Sequence, residues 1–248
     1  MSNSQNETVY KNEQSIASNQ FYKEGFIAAI PLVIGYLPVA FTFGLLAKQS
    51  EISMFNTMSL SGFVYAGASQ FMGVSMFLKG ISTFQILLAT FILNFRNFVM
   101  SLSFNHQQRH ISKGKRIYLS LTLTDENYAI TSLNSQLSNQ KLKDSNYFIA
   151  LHSVAYLSWL VGTLLGVLFS NFIPPTLRDS MGISIYALFI GLLTPAVRSN
   201  WKTCVIVLMS MFLNSIFSIY ISKGWSLIIS TLIASSFSII LFKGEEQK

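Results

Sequence analysis

Apolar runs of bilayer-spanning length, parted by short polar gaps, set the character of this chain. A membrane-crossing helix needs about 20 mostly apolar residues, and residues 25–47, 55–78, 81–104, 147–172, 181–197, 203–221 and 225–242 reach or approach that length. An eighth stretch, 117–133, holds Thr122, Thr124, Asp125, Glu126 and Asn127 in its middle. Lipid-exposed charge and irregular backbone are not tolerated at membrane depth. The stretch is therefore a span lining a polar cavity or a re-entrant segment packed inside protein. The pattern predicts an all-α integral membrane fold, a polytopic bundle of about 7 transmembrane helical segments, some broken or re-entrant. A polar cytoplasmic N-terminal tail, 1–24, precedes the transmembrane domain, 25–242, and a short C-terminal tail, 243–248, follows it.

Three segments depart from plain lipid-facing helix. Segment 25–47 carries Pro31, Gly35, Pro38 and Gly44, and each proline removes a backbone donor and frees a carbonyl further back. The 31–38 region is expected to be a broken helix of the kind that holds substrate in transporters, or else a packing kink. Segment 55–78 sets Gly62, Ala66, Ser69 and Gly73 on one helical face, a stripe that permits close helix contact, with Gln70 beside it able both to donate and to accept. In 81–104, Thr90, Asn94, Asn97 and Ser101 follow i, i+4, i+7, i+11 spacing, which marks an interhelical seam or an aqueous lining. Arg96 lies off the centre of that stripe, ~12 Å along the helix from Phe104. It either snorkels toward the interface or is buried with a function, and Asp125 with Glu126 offers the counter-charge. The alternative for the acidic pair, a surface amphipathic helix, would prefer lysine or arginine, and 117–133 has neither.

Composition agrees with this class. Charged residues are 11% of the chain and hydrophobic ones 51%, against about 25% charged in ordinary globular proteins, which excludes an ordinary soluble domain. The net charge of +7 does not point to nucleic acid, because the basic residues sit in short gaps between apolar runs. Cytoplasmic loops of membrane proteins carry them there. Gap 105–116, with Arg109, Lys113, Lys115 and Arg116 and no acid, is the best cytoplasmic marker; Lys141 with Lys143, Arg198 with Lys202, and Lys243 read the same way. Placing all of these inside requires that 117–133 and the Gly-rich 55–78 do not cross fully, which gives six full crossings and two partial ones, with seven crossings as the alternative. Residues 1–24 show neither an apolar core nor a small-residue cleavage site, so no cleaved signal peptide is expected. The single cysteine, Cys204, excludes an intrachain disulfide and a cysteine-based metal site, and no cofactor is implied.

Gly35-Tyr36-Leu37-Pro38 followed by Gly44, then Tyr65-Ala66-Gly67-Ala68-Ser69-Gln70-Phe71, then Asn94-Phe95-Arg96 with Met100-Ser101-Leu102, and Thr124-Asp125-Glu126 stand in an order and spacing that resembles the AzlC-type branched-chain amino acid permeases. The motifs cover roughly residues 20–135; beyond residue 147 the likeness is one of length and hydropathy. The resemblance implies the large subunit of a two-component plasma-membrane exporter of leucine, isoleucine, valine and often methionine, not an enzyme, working with a small hydrophobic AzlD-type membrane partner. Members of that family usually carry histidine directly after the motif arginine. Here Asn97 takes that place, leaving no imidazole there but an amide that can still hydrogen-bond substrate.

A zwitterionic amino acid needs a cation or helix N-terminus for its carboxylate, an anion or carbonyl cluster for its ammonium, and an apolar pocket. The candidate substrate-binding residues are Gly35 and Pro38 in the expected break, Gln70, Asn94, Arg96, Asn97, Asp125 and Glu126. One of the carboxylates could also carry a coupling proton. A channel or scaffold membrane subunit is the alternative. A remoter one takes Ser69 in Gly67-Ala68-Ser69 with His152 as nucleophile and base of an intramembrane serine protease, which needs only two side chains in contact.

Overall fold

A computed structural model describes residues 2–137, 145–174, 190, 194, 197–198 and 200–242. Lys141, Lys143, Lys243, the C-terminal tail and most of the expected 181–197 segment lie outside the described residues. Every regular element among those described is helical, as an all-α membrane protein requires. Among the described residues, four helices are long and apolar enough to cross a bilayer: Gln20–Gln49, Thr83–Gln107, Ser145–Phe172 and Trp201–Tyr220. The chain forms two compact units, Met1–Lys48 with Ile52–Ala66 and Phe95–Ser170, and Gln49–Glu51 with Gly67–Asn94 and Asn171–Lys248.

In the first unit, α1 (Ser2–Gln49) and α7 (Ser145–Phe169) meet backbone to backbone. A Cβ on Gly25 would collide with the Tyr147 carbonyl, one on Gly44 with the Thr163 carbonyl, and one on Gly166 with the Phe41 carbonyl. These contacts advance together along both helices, so α1 and α7 run parallel on a seam that only small residues allow. The expected break at 31–38 is not there. Helix α1 runs unbroken through Pro31 and Pro38. Both prolines sit on its exposed side, while Ala29, Leu32, Tyr36 and Ala40 pack into the core on the other. The buried stripe holds the helix across the missing backbone donors.

The breaks fall elsewhere. Phe104 near the end of α4 (Thr83–Gln107) stacks edge-on against Phe148 at the start of α7, with ring centres 6.0 Å apart, so α4 runs antiparallel to α7. Lys115 Nζ donates to Ser145 Oγ at 2.8 Å, which brings the start of α5 (Lys113–Leu121) to the same basic end. From there α5 climbs beside α7, with Tyr118 Oη 2.8 Å from Ser153 Oγ and Thr122 Oγ1 3.1 Å from His152 Nδ1. Residues 122–124 leave the helix. Helix α6 (Asp125–Leu137) then returns along α4, marked by the Arg96–Asp125 ion pair and by Ser103 Oγ 2.9 Å from Tyr128 Oη. The 117–133 stretch therefore turns back at residues 122–124 instead of running through as one helix. From the opposite end, α2 (Met54–Ser59) is capped by Ser53 and continues as a π-helical turn, Leu60–Val64. It descends along α7 through Ser61 Oγ, 2.8 Å from Thr163 Oγ1, and through the Gly62 carbonyl, which accepts from Tyr156 Oη at 2.8 Å. It ends at Tyr65.

The second unit holds α3 (Gly67–Leu78), the first turns of α4, α8 (Trp201–Tyr220) and α9 (Lys223–Phe242). Fully buried Ser226 clasps the α8–α9 hairpin by donating to Asn214 Oδ1 at 2.8 Å. Gln85 Nε2 donates to Ser222 Oγ at 2.9 Å, and Ile228 packs with Met76 and Ala89, so α9 leans on α3 and α4. Asn94 Nδ2 donates to Ser69 Oγ at 3.0 Å between α4 and α3. Within the described residues α8 buries none of its side chains.

Candidate functional site

The two broken segments of the first unit end at the same depth on α7. Tyr65 closes the descending one and lies against Tyr156, with ring centres 4.9 Å apart, and Trp159, at 6.4 Å. Tyr36 of α1 stands edge-on to the same Trp159 at 5.6 Å and reaches across to the other break. Its hydroxyl donates to Glu126 Oε2 at 2.7 Å and lies 2.7 Å from Thr124 Oγ1. Thr124 caps α6, accepting from the backbone N–H of Asn127 at 3.2 Å, and Asp125 and Glu126 occupy the first turn, where the helix dipole favours negative charge. Threonine followed by two acids is thus a helix start, which is why the backbone can break here without proline or glycine.

Arg96, midway along α4, places Nη1 2.6 Å from Asp125 Oδ2. Neither partner is enclosed: the side chains are 42% and 32% exposed. Glu126 has no cation of its own among the described residues and accepts from one neutral hydroxyl, that of Tyr36. Two adjacent carboxylates therefore sit in different surroundings, one neutralised and one not.

Around them lie buried polar atoms that no described group satisfies: Tyr65 Oη, Trp159 Nε1, Asn127 Oδ1 and His152 Nε2. Buried polar atoms are paired in the great majority of cases, by protein, water or ligand. Tyr65 is also in the left-handed region, φ 42° and ψ 46°, costly for an aromatic residue, and it follows a π-helical turn. Such turns and such strain concentrate at functional sites.

Of the residues singled out in the sequence, Arg96 and Asp125 meet directly, and Glu126 joins them through the start of α6. Gly35 and Pro38 flank Tyr36 on α1, and both are exposed. Asn97 is half-buried beside Arg96 in sequence. Gln70 and Asn94 are in the second unit, where Asn94 bonds Ser69. For the protease alternative, Ser69 Oγ accepts from Asn94 and His152 Nδ1 pairs with Thr122, so each is engaged with another partner. Sequence reasoning passed over Tyr36, Tyr65, Thr124, Asn127 and Trp159 as site residues. The signal for Thr124 was present as an N-cap before two acids; none marked Trp159.

The AzlC protein family model matches residues 31–173, more than half of the chain and the part that contains Tyr36, both breaks and α7. The chain belongs to the AzlC family. That family is a transporter-type membrane family, known for branched-chain amino acid transport. The chain is 28% identical over 188 residues to the inner membrane protein YgaZ of Escherichia coli (strain K12), covering 74% of this chain and 76% of the relative. It is 30% identical over 192 residues to an uncharacterised membrane protein of Archaeoglobus fulgidus, covering 75% and 80%, and 25% identical over 222 residues to one of Haemophilus influenzae, covering 88% of each. No solved structure matches the chain.

Proposed function

We propose that this AzlC-family chain is the large subunit of a two-component secondary transporter that exports leucine, isoleucine, valine and methionine across the plasma membrane. The observation that carries this reading is the pairing of Arg96 with Asp125, and of Tyr36 with Glu126, where two broken helices end at one depth. Broken helices at membrane depth recur at transporter sites because their ends and freed polar groups hold small charged ligands. Here Arg96 and the N-terminus of α6 suit a substrate carboxylate, and Glu126 with Asn127 Oδ1 suits its ammonium. Asn97, beside Arg96 in the same unit, is a further polar candidate, whereas Gly35 and Pro38 on the exposed face of α1, and Gln70 and Asn94 in the second unit, are candidates apart from this cluster. Direction of export follows the family resemblance, with the acid-free loop 105–116 facing the cytoplasm. Apolar, unburied α8 is available to a small membrane partner of the AzlD type.

Counterflow of radiolabelled leucine in vesicles containing this chain, with and without the co-expressed small subunit, tests the proposal. Saturable exchange that needs both chains is expected. Non-saturating flux would favour a channel, full exchange by this chain alone would remove the partner, and no exchange of any branched-chain amino acid would remove the substrate class.

A further inference from the structure

At the basic end of the first unit, α4 and α5 border an open cavity of about 560 Å³ lined by Leu102, Asn105, His106, Arg109 and Arg116. Its walls are fixed. Asn105 Nδ2 donates to Ser120 Oγ at 2.6 Å and Ser101 Oγ to the Ser120 carbonyl at 3.2 Å, which locks α4 to α5. Gln108 and Ile111 are buried and anchor the connecting turn, leaving Arg109 and Arg116 at the cavity. Among the described residues neither arginine has an ion-pair partner, and residues 105–116 contain no acid. Two cationic groups thus face one space with their charge uncompensated.

Two apolar stripes run from this cavity toward membrane depth. On α4, Phe95, Phe98, Val99 and Leu102 recur at helical spacing, each more than half exposed. On α5, Ile117 and Leu121 do the same. A helix of membrane length that ends in this way presents, in order, an oily face and a cationic pocket. We infer that the cavity binds the phosphate group of an anionic phospholipid, with its acyl chains lying along the two stripes. Guanidinium groups match phosphate oxygens in charge and fork geometry, and basic pockets at the ends of membrane helices suit anionic headgroups. Inorganic phosphate has the same charge chemistry but no use for the stripes. The site is separate from the Arg96–Asp125 region and does not depend on the transport reading.

Native mass spectrometry of the full chain in mild detergent, titrated with phosphatidylglycerol or phosphatidylcholine of equal chain length, tests this. Phosphatidylglycerol should be retained in preference to phosphatidylcholine and should not be displaced by millimolar inorganic phosphate. The Arg109→Gln/Arg116→Gln double variant should bind it about thirtyfold more weakly, whereas Lys113→Gln, which removes a charge from the same loop outside the cavity, should bind as the wild type does. Equal retention of the two lipids by the wild-type chain would overturn the inference without recourse to any variant. Unchanged binding in the double variant, or an equal loss in Lys113→Gln, would do the same, and displacement by inorganic phosphate would assign the cavity to a soluble anion.

Discussion

The two broken segments of the first unit reach the same depth with opposite chemistry. The one ending at Tyr65 brings an aromatic ring, a strained backbone and a hydroxyl donor with no described partner. The one opening at Thr124 brings two carboxylates and a capped helix start, with Arg96 and Tyr36 drawn onto it from neighbouring helices. A ligand that is charged at one end and oily at the other is met by both only if both are present. The difference also shows what breaks a membrane helix in this fold: neither Tyr65 nor residues 122–124 include proline or glycine, whereas α1 passes two prolines intact.

The comparison can be broken most directly at its charged side. Arg96→Ala and Glu126→Gln should each lower branched-chain amino acid flux by roughly ten- to a hundredfold while the protein still inserts, the scale of one lost charge-assisted hydrogen bond. Wild-type flux in both would make these groups structural or snorkelling. A smaller and more telling contrast lies between the two tyrosines. Tyr36→Phe should lower stability in thermal unfolding by about 1–2 kcal/mol, because it strips the hydroxyl from Glu126 and Thr124. Tyr65→Phe, whose hydroxyl bonds nothing described, should leave stability unchanged and raise the KM for leucine; the reverse pattern would mean that Tyr65 is the structural one. Smallest is the cap. Thr124→Ala should cost about 1 kcal/mol and Thr124→Ser should restore most of it, and an equal loss in both would show that the hydroxyl does not set the break.

Much of this was legible in the chain. Hydropathy picked out the long helices α1, α4, α7 and α8, and the polar centre of 117–133 marked a segment that could not simply cross. Arg96 and the Asp125-Glu126 pair stood out because charge in an apolar run is rare. The prolines misled, since their cost depends on whether the opposite face is buried, and that is a tertiary fact about Leu32, Tyr36 and Ala40. The Gly-rich 55–78 stretch was expected not to cross fully, but the position of its break at Tyr65 was not marked, because it rests on contacts with Tyr156 and Trp159 about ninety residues away. Gly162 and Gly166, four apart, are a close-packing pair whose partners on α1, Ala40 with Leu37 for the first and Phe41 with Gly44 for the second, only the fold reveals.

That glycine seam has a mechanical consequence. Where α1 and α7 touch, carbonyls and the methyl groups of Ala40 and Ala150 lie against glycine Cα with no longer side chains to re-mesh, so sliding one helix by a turn, about 5.4 Å, would drive larger side chains into the partner's main chain. The pair behaves as a single strut. Any change that opens the region beside Tyr36 first to one side of the membrane and then to the other has to be made by the half-helices and by α4 moving around that strut.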